Sequence, residues 1–191
     1  QLELFNVMDD FFKGSNLWQE DIELTVVGNS PSGTVYYITP TGPCTIDKLM
    51  WCYGVPDTNE IRGIQIKASM QIPGELVLYT QPNTDERYRV TVALTVADPT
   101  QRDGYVTFPK WVLDKYRTVL LDGLLGKMMS QPAKPFTDKQ LSVYHLRRFK
   151  SGISEARVEG QRNNVYRSQA WRFPSFAGGS QTKGRGGFPP Q

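Results

Sequence analysis

The chain has 191 residues, 39% of them hydrophobic, which is enough to bury a core in one or two domains. No apolar run approaches the roughly 20 residues that span a bilayer, and no basic-then-apolar signal segment is expected, so the membrane-spanning helical class is set aside. The formal charge of +3 conceals a split: residues 1–100 hold 6 Lys/Arg against 13 Asp/Glu, and residues 101–191 hold 16 against 6.

Residues 2–13 place Leu2, Leu4, Phe5, Met8, Phe11 and Phe12 at helical spacing, and Gly14-Ser15-Asn16 should stop that helix. The chain opens at Gln1 in what reads as a running helix, so residues upstream are expected. Leu17-Trp18-Gln19-Glu20-Asp21 leads into a block of short β-type runs: 23–27, 34–39, 44–53, 62–70, 75–79 and 89–96. The last of these alternates, with Val90, Val92, Leu94 and Val96 on one face and Arg89, Thr91, Ala93 and Thr95 on the other. Six short strands at hairpin-like spacing argue for an antiparallel sandwich or small barrel. Helical patterns flank the block on both sides, so it reads as an insertion into a helical core, and the class is α+β.

Pro109 opens the next helix, which runs through Trp111, Leu113, Tyr116, Leu120, Leu124 and Met128. Pro132 and Pro135 forbid continuing it. A second long helix begins near Phe136-Thr137-Asp138-Lys139-Gln140-Leu141, where Thr137 and Gln140 have capping-box spacing and Phe136 and Leu141 that of a hydrophobic staple. It carries Leu141, His145, Phe149, Gly152, Ile153, Ala156 and Gly160. Gly152, Ala156 and Gly160 leave one stripe almost without side chains, and Gly123 and Gly126 do the same on the preceding helix. Glycine inside a helix costs roughly 1 kcal/mol against alanine, so a close backbone approach is expected, most simply between these two helices.

The pattern collapses after about Tyr166. Ser168 to Phe176 is aromatic without a period, and Ala177 to Gln191 is rich in Gly and Pro. That composition does not offset the entropy of folding alone, so it should form an extended arm whose aromatics need pockets elsewhere. The expected organisation is an N-terminal helix (1–16), a β-rich domain (17–107), a helical hairpin (108–167) and the arm (168–191).

Chemistry is sparse. His145 is the only histidine, and its place on an apolar stripe points to packing rather than general-base work. Cys44 and Cys52 give neither metal-ligand spacing nor a disulfide framework, and reduced structural thiols are expected. Asp9-Asp10, Glu20-Asp21 and Asp85-Glu86 are neighbours that point in different directions, hence surface charge. No catalytic, cofactor or metal residues are assigned, and the expected class is not an enzyme. A basic face at Arg147, Arg148, Lys150 and Arg157, followed by interleaved aromatics and Gly184-Arg185-Gly186-Gly187-Phe188, makes a nucleic-acid-binding module the alternative.

Four stretches carry a resemblance: Ser15 to Asp21, Phe108 to Phe136, Phe149 to Arg157, and Trp171-Arg172-Phe173-Pro174. Together they resemble the head-to-tail adaptors (head-completion or tail-tubular-A-like proteins) of short-tailed bacteriophages, whose members usually have more N-terminal helix than residues 1–13 supply. The resemblance implies a structural virion protein, about a dozen copies of which form a ring beneath the portal, extend the DNA channel and carry the tail nozzle. It implies a homo-oligomer with portal and tail-nozzle partners, DNA passing close by, no membrane and no cofactor. The arm residues Trp171, Arg172, Phe173, Pro174, Phe176 and Phe188 are then the expected grip on the portal or on a neighbouring subunit.

Overall fold

A computed structural model describes residues 2–55, 64–97 and 108–163 of the chain, without the side chains of 162 and 163. The element order is α1 (Leu2–Ser15), β1 (Gln19–Val26), β2 (Val35–Tyr37), β3 (Cys44–Val55), β4 (Ala68–Ser69), β5 (Glu75–Leu78), β6 (Glu86–Val96), α2 (Lys110–Met129) and α3 (Lys139–Asn163). The class is mixed α+β: three helices and two small antiparallel sheets, ordered β1-β6-β3 and β2-β5-β4. Both sheets are open among the described residues, and no barrel closes.

β6 organises the larger sheet because its alternating apolar side chains can be buried between two neighbours. Val90, Val92 and Leu94 join Val26, Cys52, Leu76 and Leu78 in a core fed by both sheets. β3 bends twice against β6, with register shifts at Ile46/Lys48 and Leu49/Trp51. The expected polar face of β6 is polar only over its first half. Ala93 and Thr95 are buried, since α1 packs on that end of the sheet and Thr95 Oγ1 donates to Asp9 Oδ1 at 2.8 Å.

The expected strand at 62–70 shrinks to Ala68–Ser69, and its first two residues lie outside the described residues. The reason is a change of sheet. Gly54 N–H donates to the Ile64 carbonyl and Ile66 N–H to that of Cys52, on β3, whereas Tyr79 N–H, just past the end of β5, donates to the Lys67 carbonyl. The segment therefore crosses between the sheets, and neither gets a long ladder from it. β1 starts four residues earlier than expected, at Gln19, because the long β6 offers partners as far as Ala93.

A second core joins the helices. Val7, Met8, Phe11 and Phe12 of α1 meet Val112, Tyr116 and Leu120 of α2, with Phe149 and Ala156 of α3, and Trp18 packs against both cores. α1 stops where the sequence said it would: Asn16 takes φ 52° and returns its N–H to the Phe12 carbonyl at 2.8 Å. α2 follows Pro109 and kinks at Tyr116 (φ −111°, ψ 19°). Two expected apolar positions of α2, Trp111 and Leu113, are exposed, as is Leu141 of α3. Tyr116 and Leu120 face inward as expected, joined by Val112 and Gly123, which with them recur at helical spacing.

The cap of α3 is also shifted by one residue. Asp138 Oδ1 accepts the N–H groups of Gln140 and Leu141 at 2.9 and 3.0 Å, which makes Asp138 the capping residue. The Thr137 hydroxyl instead donates to the Gln131 carbonyl and accepts from Lys134 N–H, closing the loop. Phe136 and Leu141, the proposed staple, are both exposed.

A candidate interaction surface on the helical hairpin

The hairpin α2–α3 is held at a separation that only glycine permits. A Cβ on Gly152 would lie 2.5 Å from both γ carbons of Val119, one on Gly126 2.8 Å from Leu146 Cγ, and one on Gly123 2.8 Å from Val7 Cγ1 and 2.9 Å from the Phe149 ring. The small-residue stripes are therefore filled within the chain, by the helix pair and by α1.

Across this seam lies a polar cluster. Asp122 of α2 is buried, and its Oδ1 is 2.8 Å from His145 Nδ1. An ionised carboxylate can only accept, so His145 Nδ1–H is the donor. Oδ2 takes Arg148 Nε at 3.2 Å. Arg148 also donates to the Tyr144 hydroxyl at 3.3 Å and lies 5.6 Å from the centre of that ring. Tyr144 in turn meets the His145 ring edge-on at 5.3 Å. A buried carboxylate on a helix has to be satisfied, and here two donors from the facing helix, an imidazole and a guanidinium, do so.

His145 is thus the interhelical packing residue that its stripe suggested, held by a carboxylate. Its Nε2 hydrogen-bonds to no described residue, and Cys44 and Cys52 belong to the β core. Both cysteines are buried, reduced thiols, and burial pushes the Cys52 thiol up to about 11. At the other end of the seam Glu159 accepts from the Tyr116 hydroxyl at 2.6 Å and pairs with Lys115. Burial, followed by that hydrogen bond, raises the Tyr116 phenol above its usual 10.0. Asp122 and Glu159 were not singled out from the sequence. The one available signal was a carboxylate placed at the inward period of each helix.

The basic face is brought to one helix but divided in role. Arg147, Arg148, Lys150 and Arg157 are all exposed on α3. Arg148 is committed to Asp122 and Tyr144, and Arg157 Nε donates to the Gly14 carbonyl at 2.8 Å, at the negative end of α1. Arg147 and Lys150 have no partner among the described residues. Val143 and Tyr144, one turn before Arg147 on the same helix, are exposed, as is Val158 further along α3, and on α2 Leu121 (47%) and Leu125 (38%) are exposed. The arm residues Trp171, Arg172, Phe173, Pro174, Phe176 and Phe188 lie outside the described residues. Among the described residues no cluster of His, Cys, Asp and Glu has the makings of a metal site, and no helix is long and apolar enough to cross a membrane.

No protein-family model and no curated protein matches the chain.

Proposed function

We propose that this chain is a non-enzymatic structural subunit, a head-to-tail adaptor of a short-tailed phage particle, that assembles as a ring beneath a portal and presents a seat for the tail. In this reading the three helices are the ring-building core, the two sheets form a small sandwich inserted into it, and the C-terminal arm reaches a neighbour or the portal. The observation that carries it is the sequence from Phe108 to Phe136, which resembles that family. That stretch makes α2, the first helix of the hairpin, which leaves Leu121 and Leu125 exposed, and α3 leaves Val143 and Tyr144 exposed one turn before Arg147. Apolar side chains grouped with unpartnered cations suit a protein partner of acidic character. A subunit acidic in one half and basic in the other suits head-to-tail contact between copies.

The test is truncation of residues 168–191. The shortened chain should fold as the full one does, by circular dichroism and melting, yet fail to join rings or to bind a portal at moderate salt. Normal assembly of the truncated chain would end the arm's part in this reading. Binding to DNA that falls steeply between low and moderate salt, with no ring formed, would favour the nucleic-acid-binding module instead.

A further inference from the structure

β1 is an edge strand. It pairs with β6 from Gln19↔Ala93 to Val26↔Glu86, and its other edge meets no strand among the described residues. Its eight residues contain no proline, lysine or arginine, the usual blunting devices of an exposed edge. They do contain Glu20, Asp21 and Glu23, exposed or half-exposed carboxylates that accept from Thr41 N–H, the Thr91 hydroxyl and Arg89 respectively and keep further acceptor capacity. Ile22 and Leu24 point toward the β core but are only half-buried, as expected of a strand with nothing beyond it.

The end of the described chain lies beside the start of this edge. The last turns of α3 pass α1 and the turn that precedes β1: Gly160 faces Leu17 and Asn16, and Arg157 reaches the Gly14 carbonyl. Beyond Asn163 there are 28 residues with 4 Lys/Arg and no Asp/Glu. The stretch 165–173 contains Val165, Tyr166, Trp171 and Phe173, with neither Gly nor Pro until Pro174. Such residues favour strands, and proline ends one. Nine residues extend over about 30 Å at roughly 3.3 Å each, enough to cover the eight of β1. Arg167 and Arg172 are opposite in sign to Glu20, Asp21 and Glu23, and cross-strand pairs of opposite charge favour pairing.

We infer that the open edge of β1 is a strand-addition site, and that its occupant in the free protein is residues 165–173 of the same chain. The added strand starts where α3 ends and runs parallel to β1. It satisfies the outward backbone groups, brings apolar side chains over Ile22 and Leu24, and sets its arginines among the β1 carboxylates. A linker this short gives the segment of the same chain a high effective concentration over that of a second molecule. The inference deepens the arm reading by giving the arm a seat before a partner takes it. It concerns the isolated chain, so its failure and that of the ring reading are separable.

The experiment is amide hydrogen exchange on the isolated full-length chain, at two protein concentrations tenfold apart, for the wild type and for Ala170→Pro. Amides of 165–173 should exchange at least tenfold more slowly than in an unstructured peptide, equally at both concentrations. Ala170→Pro removes one strand N–H, and should cut protection tenfold or more both in 165–173 and in β1 while the helices keep theirs. Three results would overturn the inference: exchange of 165–173 at free-peptide rates, unchanged β1 protection in Ala170→Pro, or protection that weakens on dilution, which would place a second copy on the edge.

Discussion

Alanine at Gly152 should destabilise this protein, although helix propensity predicts the reverse. Taken alone, Gly→Ala inside a helix is favourable by about 1 kcal/mol. At Gly152, however, the new methyl would lie 2.5 Å from both γ carbons of Val119, more than about 1 Å inside the optimum carbon separation of roughly 3.5–4.0 Å. Valine in a helix is confined to essentially one rotamer. Both of its γ carbons are equally close, so turning the side chain does not clear the clash. The helices must part instead, which loosens the neighbouring contacts of Gly123 with Phe149 and of Gly126 with Leu146. Overpacking of this kind costs about 1–3 kcal/mol.

Set against the propensity gain, the expected net loss is up to about 2 kcal/mol, or a fall in Tm of up to about 8 °C for a chain of this size. The internal control is Gly160→Ala. Its one tight contact would be the flexible end of Leu17, at 3.3 Å, with Leu17 Cα and the Asn16 carbonyl oxygen at ordinary distances of 3.6 and 3.7 Å, so propensity should prevail and stability should hold or rise. Urea or thermal unfolding followed by circular dichroism reads both, and Val119→Ala in the Gly152→Ala background should recover part of the loss. Equal or greater stability of Gly152→Ala over wild type would refute the close-packed seam, as would equal damage from the two alanines.

Three further expectations follow from the same contacts. Asp122→Ala leaves His145 and Arg148 without their acceptor and should cost about 1–3 kcal/mol in denaturant titration. Asp138→Ala should cost about 1 kcal/mol as the loss of a helix cap. Stability should also fall in alkali. The Cys52 thiol is pushed from 9.0 up to about 11 by burial, and the Tyr88 and Tyr116 phenols are raised from 10.0, first by burial and then by hydrogen bonds to Glu86 and Glu159. In all three the folded state holds its proton more tightly than the unfolded one. Their contribution is therefore complete below pH 9 and is lost as pH rises through 9–11 and beyond. Tm measured from pH 8 to 11 should decline, and Cys52→Ala should make the decline from its own pH 8 value shallower.

The features legible in the sequence are those fixed by neighbouring residues. Asn16 ends α1 because an asparagine tolerates the left-handed region, and β6 declares itself by alternation. Close packing of the hairpin was legible too, because glycines inside both long helices, Gly123 and Gly126 on α2 and Gly152 and Gly160 on α3, have few other uses. What escaped depends on contacts between distant parts of the chain. Thr137 and Asp138 are both good caps, and the loop carbonyl of Gln131 draws Thr137 away. The Asp122–His145 pair spans 23 positions and exists only because the hairpin brings α2 and α3 into one register. Ala93 and Thr95 look like surface residues until α1 lies over them. The arm residues that the resemblance singles out have no counterpart in the described fold, so the sequence alone speaks for them.

The charge split illustrates how far a count can be taken toward a surface. A surplus in one half says little if the other half neutralises it within the fold. Lys127 does reach across to Asp10 at 2.6 Å. Lys13 with Asp9, Arg89 with Glu23, Lys115 with Glu159 and Arg148 with Asp122 all close within their own half. Such pairs consume equal numbers of each sign, so they leave the imbalance of each half unchanged. Arg147 and Lys150 keep their charge outward, beside apolar side chains that water alone would not favour exposing. Exposed ion pairs contribute little to folding, so this arrangement is better explained by what it faces than by what it holds together. On the ring reading proposed above, its complement is an acidic, partly apolar surface such as the first half of a second copy.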